Sequence, residues 1–152
     1  MIKIICVGKI KEDFIEKGIN EYLKRLSAFT KVTIIELKEG NNIDISKTIE
    51  SEGRSILDKI NKDDFVITLE IAGKMLDSIE LSKKINDLYT YGNTNIDFII
   101  GGSWGLSDEV KRRSNFALSF SKFTFPHQLM RLILIEQIYR SFTIINNKEY
   151  HK

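Results

Sequence analysis

The sequence predicts a single α/β domain spanning residues 1–152, with a mostly parallel sheet covered by helices on both faces. Two observations carry this reading. Short apolar, strand-like runs alternate about five times with amphipathic helical stretches, joined by short connections, which is the pattern of βαβ units. No linker, repeat or low-complexity tract interrupts the alternation.

Ile2 to Val7 reads as a buried strand closed by Gly8. Phe14, Ile15, Ile19, Tyr22, Leu23 and Leu26 then fall on one helical face, with Lys and Glu opposite. Val32 to Leu37 is a second strand, and Glu39-Gly40-Asn41-Asn42 supplies a turn. A weaker helix covers about Ser46 to Ile60, carried by Ile49, Ile56, Leu57 and Ile60 and weakened by Gly53. Phe65 to Glu70 is a third strand, ending in an Ala72-Gly73 turn. Ser78 is expected to cap a helix that uses Leu81, Ile85, Leu88 and Tyr89. Ile96 to Ile100 is a fourth strand. Ser107, Asp108 and Glu109 start a short helix, with the acids at its positive dipole end. Ala117 to Ser121 is a short fifth strand, and residues 127–142 form the last helix.

At 152 residues the chain suffices to bury about two thirds of its unfolded surface. Apolar residues make up 42% and charged residues 29%, the balance of an ordinary globular domain. The one cysteine, Cys6, lies in an apolar strand and is expected to be a buried, inert thiol. The longest purely aliphatic run, Leu132 to Ile135, is far shorter than the ~20 residues of a membrane span. With no basic-then-apolar leader pattern, a reducing cytoplasm is the expected location. Two histidines and one distant cysteine make a poor ligand set, so no metal is expected.

The net charge of +2 hides an asymmetry. Residues 1–110 carry 15 Lys/Arg against 19 Asp/Glu, whereas residues 111–152 carry 8 against 2. A basic final third on an acidic body fits either an anionic partner or a plain solvated face.

Ligands of parallel sheets bind beyond the carboxyl ends of the strands, and three such ends are distinctive here. They are Thr68 to Gly73, Ile99 to Leu106 with its glycines Gly101, Gly102 and Gly105, and Ser119 to Pro126. The glycine-rich end lets backbone N–H groups approach a ligand, or simply makes a tight turn. It matches neither Gly-x-Gly-x-x-Gly nor a nucleoside-triphosphate loop. Pro126, the only proline, has the fixed φ of a helix start. The last helix is apolar around nearly its whole circumference, and the sheet covers only one face, so a homodimer interface is expected. Glu136 and Arg140 are spaced to pair with each other, leaving Arg131, on the opposite face, free to meet a ligand. The tail Tyr150-His151-Lys152 offers a phenol, an imidazole and a cation, or is merely frayed.

These segments together resemble the ribosomal RNA large subunit methyltransferase H family of the SPOUT superfamily. The likeness runs through the opening Ile-x-x-Val-Gly-Lys, Tyr22 to Leu26, Thr68 to Ile71, Ile100-Gly101-Gly102-Ser103-x-Gly105-Leu106, Leu118 to His127, Ile135-Glu136-Gln137-x-Tyr139-Arg140 and the final Tyr150-His151-Lys152. The resemblance implies a C-terminal trefoil knot, a homodimer, and S-adenosyl-L-methionine held in the knot loops. It also implies methylation of N3 of a pseudouridine in 23S rRNA on the assembled ribosome. Carried over residue by residue, cofactor contacts fall on Leu69, Gly101, Phe120, Ser121, Lys122, Phe123, Thr124 and Phe125. Trp104 departs from the smaller or polar residue usual in the family and bears on loop packing.

An imide nitrogen is a poor nucleophile while protonated, so the reaction needs a base. His151 or Tyr150 of the tail is the expected base, with His127 as competitor, while Arg131 and Lys152 hold the RNA. A non-catalytic nucleotide- or RNA-binding α/β module is the alternative reading.

Overall fold

In the computed structural model, which describes residues 1–152, the first strand already dictates the layering. Along β1 (Ile2–Val7), Ile2, Ile4 and Cys6 enter a larger apolar core, and Ile5 and Val7 a smaller one. Successive strand side chains point to opposite faces, so a strand apolar at every position but Lys3 must be covered on both. The larger core is closed by α1 (Asp13–Leu26), α3 (Ser78–Thr90) and α5 (His127–Ile145). The smaller is closed by α2 (Ile45–Leu57) and α4 (Asp108–Arg113).

With β2 (Val32–Leu37), β3 (Phe65–Met75), β4 (Ile96–Ile100) and β5 (Phe116–Ser119), the sheet is ordered β2-β1-β4-β3-β5 and every pairing is parallel. The α/β class expected from sequence is therefore observed. Connections moving one way along the sheet, through α1 and α3, lie on one face. Those moving the other way, through α2 and α4, lie on the opposite face, as right-handed crossovers require. Thus β3 leaves its end toward one face while its neighbour β4 leaves toward the other, and a crevice opens between them.

Several expectations are corrected in detail. Ala72-Gly73 does not end β3: register slips between Leu69 and Lys74, residues 70–73 bulge out, and Lys74 and Met75 pair again with Leu118 and Ser119. Gly73 permits this because a Cβ there would lie 2.7 Å from the Ala117 carbonyl oxygen. Asp77, not Ser78, caps α3, in a reciprocal capping box with Glu80. Phe14 stays exposed in the first turn of α1. Helix α2 stops at Leu57, and α5 runs on to Ile145. Pro126 is the N-cap of α5 rather than its first residue, its carbonyl accepting the Met130 N–H at 2.9 Å.

The environment of α5 also differs from expectation. The sheet is not its only cover, because α1 and α3 flank it and no residue of the helix is fully exposed. Close approach to α1 occurs at Gly18, where a Cβ would lie 3.0 Å from Leu132 Cδ1. Its half-buried residues include a stripe through Leu129, Ile133, Glu136, Arg140 and Ile144. Cys6 is fully buried, and burial pushes its thiol up to about 11, so the inert reading holds. No helix is long and apolar enough to cross a membrane.

At the amino-terminal edge of the sheet, three charges meet that no sequence pattern announced. Lys3 Nζ lies 2.9 Å from Asp64 Oδ2 and 3.2 Å from Asp97 Oδ2. Asp97 is completely buried, and neither of its oxygens has a hydrogen bond of good geometry. Burial, reinforced by Asp64, pushes its carboxyl up to about 7 despite the opposing pull of Lys3. An acid whose folded pKa is raised costs stability progressively as pH climbs from its unfolded value toward the folded one. Asp97→Asn removes that cost. Its stability relative to wild type is expected to rise between pH 4 and 7, by at most about 1.4 kcal/mol per pH unit. Urea melts of both proteins at several pH values check this; a difference independent of pH would contradict it.

Candidate functional site

The carboxyl ends of β3, β4 and β5 surround a cleft of about 480 Å³. From β3 and its bulge come Leu69, Glu70, Ile71 and Ala72. The β4–α4 loop gives Gly101, Gly102, Ser103, Gly105 and Leu106, and α4 adds Lys111. After β5 come Phe120, Ser121, Phe123, Thr124 and Phe125, with His127 and Met130 from the first turn of α5. The three strand ends singled out from sequence are thus one site.

Local chemistry shapes each wall. Gly102 and Gly105 close a tight turn, with the Gly105 N–H donating to the Gly102 carbonyl at 3.1 Å. Gly105 has φ 88°, a conformation that favours glycine. A Cβ on Gly101 would lie 2.9 Å from Leu106 Cδ2, so this backbone fits only bare. Beneath the turn, the buried Glu52 accepts the Gly40 N–H through one carboxylate oxygen. In the β5–α5 loop, Ser121 Oγ accepts the Phe123 N–H at 3.0 Å, and Ser119 Oγ donates to the Ser121 carbonyl at 3.2 Å. Thr68 Oγ1 donates to Glu70 Oε2 at 2.6 Å and meets Ser114 Oγ at 2.8 Å, tying the β3 end to α4.

Of the residues picked from sequence, Leu69, Gly101, Phe120, Ser121, Phe123, Thr124, Phe125 and His127 line the cleft. Lys122 is exposed and does not. Arg131 overturns its expectation. Its side chain is only 1% exposed, with Nη1 2.7 Å from Glu36 Oε2 and Nη2 donating to the Gly8 carbonyl at 3.0 Å. Glu36 also accepts the Ile10 N–H, and Gln128 Oε1 accepts the Lys11 N–H at 2.9 Å. The β1–α1 loop is therefore pinned to the start of α5, and Arg131 is its clamp rather than a free cation. His127 Nε2 sits 3.8 Å from Glu39 Oε1.

The tail is ordered but elsewhere. Tyr150 packs edge-on against Tyr139 at 4.8 Å, and its hydroxyl donates to Glu136 Oε1 at 3.0 Å. Arg140 pairs with Glu136 at 2.6 Å, as the spacing predicted, and its Nη1 lies 3.2 Å from His151 Nδ1. Burial, with Tyr22 and Glu136 alongside, raises the Tyr150 phenol well above its ordinary range. From Met130 to Arg140 the helix rises about 15 Å. The tail of one chain therefore lies at the far end of α5 from that chain's own cleft, not folded over it.

Sequence reasoning missed Lys111 and Met130 as cleft residues. Lys111 was visible only within the basic run 111–113, and Met130 only as part of an all-round apolar helix.

A parallel sheet with a glycine-turned cleft at its strand ends is the architecture of many ligand-binding α/β domains. Residues 1–151 match the family described as "Predicted SPOUT methyltransferase". Proteins named ribosomal RNA large subunit methyltransferase H are similar along the whole length. The one from Finegoldia magna is 55% identical over 157 residues, covering 99% of each chain. Those from Bacillus thuringiensis subsp. konkukian and Enterococcus faecalis are 52% and 48% identical with the same coverage. The chain belongs to this family of SPOUT methyltransferases.

Because Arg131 satisfies both the Gly8 carbonyl and Glu36, Arg131→Met is expected to lower stability by roughly 2–3 kcal/mol. Chemical denaturation measures this, and a change under ~0.5 kcal/mol, the size expected of an inconsequential surface site, would remove the clamp role.

Proposed function

We propose that this protein is an S-adenosyl-L-methionine-dependent methyltransferase that acts as a homodimer on 23S rRNA of the assembled ribosome, at N3 of a pseudouridine. The observation that carries the proposal is the convergence of Leu69, Gly101 and the 120–125 loop on one cleft. These are the positions onto which the family resemblance carries cofactor contacts. The cleft's size lies within the usual 300–1,000 Å³ of small-molecule sites. Its apolar walls suit an adenine ring, and the bare backbone at Gly101 and Gly102 allows close approach. When bound there, S-adenosyl-L-methionine supplies an electrophilic sulfonium methyl group.

This chain's residues do the rest. Phe120 and Phe125, both half-buried, give the cleft an apolar wall. A base must take the N3 proton, and His127 is the only imidazole on the cleft of its own chain. Tyr150, its phenol held protonated in its docked posture by burial and by Tyr22 and Glu136, has no phenolate to offer there. The tail reaches a cleft only across a dimer, which the half-open apolar stripe of α5, with Leu129 and Ile133, is suited to form. The knotted path implied by the family resemblance belongs to the same proposal.

Mass spectrometry of 23S rRNA from cells lacking the protein tests the activity: an intact methyl mark on the pseudouridine would sink it. Calorimetry separates the alternative module, since that reading expects NAD or ATP to bind and S-adenosyl-L-methionine not to. For the tail in trans, a variant lacking residues 150–152 and a Gly101→Val variant should each be inactive alone. Mixed and allowed to exchange subunits, they should regain turnover, because one hybrid site then has an intact cleft and an intact tail. No recovery would mean that the tail serves its own chain. With no separate RNA-binding domain, whole ribosomes should be methylated far faster than naked rRNA fragments; efficient modification of a short hairpin would contradict this.

A further inference from the structure

The only tryptophan of the chain, Trp104, is 59% exposed, although an indole is among the side chains that gain most from burial. It sits at the tip of the turn closed by Gly102 and Gly105, and both of those glycines line the cleft. No aromatic ring or cation of the chain packs on it. Phe123, on the neighbouring loop, is 78% exposed at the same cleft. The cations Lys111 and Lys122 belong to these two loops and the helix between them, and neither is paired with an acid. Exposed aromatic faces among unpaired cations are the chemistry that holds an unstacked nucleobase and its phosphates.

We infer that Trp104 is a stacking platform for a nucleobase of the RNA strand beside the target nucleotide. The inference rests on the proposed rRNA methyltransferase activity and names a residue that would set its affinity for RNA. The Gly102–Gly105 bridge keeps the indole outside the cleft proper, so Trp104 grips RNA without touching the small-molecule site. A flat face stacks on any base, so this contact provides grip and positioning rather than sequence readout.

The test uses the full-length protein and purified ribosomes. Trp104→Ala is expected to raise KM for ribosomes about tenfold, the scale of one lost stacking contact. Its kcat and its calorimetric affinity for S-adenosyl-L-methionine should stay near wild type. Trp104→Phe, which keeps a ring, should recover most of the loss. The single indole also reports on itself: in the free protein its emission should be that of a water-exposed tryptophan. An unchanged KM in Trp104→Ala, with wild type active, would overturn the inference and leave the activity standing. So would an equal loss of S-adenosyl-L-methionine affinity, which would make Trp104 a support of the loop. Blue-shifted emission in the free protein would assign the indole to the subunit interface instead. If wild type itself transfers no methyl group to ribosomes, the failure lies with the proposed activity.

Discussion

Helix α5 carries apolar side chains around most of its circumference, so it is stable only where neighbours surround it. On this sheet that place is the groove between α1 and α3, above the middle strands. Yet the strand before it, β5, lies at the far edge beyond β3. To seat α5, the chain must return from that edge across the carboxyl ends of β3 and β4. Residues 120–126 make that return, and the cleft is the space left beneath them. The site is therefore a consequence of burying one helix, and not an addition to a finished fold.

The same burial explains the arrangement of polar groups along α5. Its first turn must be fixed where the crossing loop ends, and Pro126 does this from within by capping the helix. Arg131 does it from outside, by holding the Gly8 carbonyl and Glu36. At the other end, Glu136 and Arg140 form a polar seat into which Tyr150 and His151 dock. One rigid element thus separates the two sets of groups, and a helix of this length does not fold back on itself. With the tail docked as it is, chemistry that needs both sets would draw them from the two chains of the proposed dimer.

Much of this was legible in the sequence, for reasons that can be located. Apolar strand-like runs alternate with amphipathic helical stretches, and β1 is apolar at every position but Lys3, which only a doubly covered strand tolerates, so the fold class followed. The three strand ends were visible because glycine, proline and an irregular polar–aromatic run break the periodicity there. What was not legible depends on contacts between residues distant in sequence. The spacing of Arg131 and Arg140 placed them on opposite faces of α5 but said nothing about Glu36, 95 residues from Arg131. The bulge at residues 70–73 looked like a turn, because Ala72-Gly73 serves equally well when a neighbouring backbone such as that of Ala117 passes close by. Lys3, Asp64 and Asp97 share no local pattern, and only the register of β1 against β4 brings two of them face to face.

The charge asymmetry changes meaning once these contacts are known. Of the eight cations after residue 110, Arg131 and Arg140 are held by glutamates. Arg113 is spent on the carbonyls of Asn61, Lys62 and Asp64. That leaves Lys111, Arg112, Lys122, Lys148 and Lys152, all exposed. Lys111 lines the cleft, Lys122 sits on the loop that covers it and Arg112 faces a neighbouring groove beside α2. Lys148 and Lys152 lie in the tail, beyond the other end of α5. In one chain they are too far apart to form a single basic face for an anionic polymer. In the proposed dimer, with the tail of one subunit at the cleft of the other, the two groups would combine. The basic third is thus two separate clusters on one chain, and only the proposed dimer would join them into one RNA-facing surface.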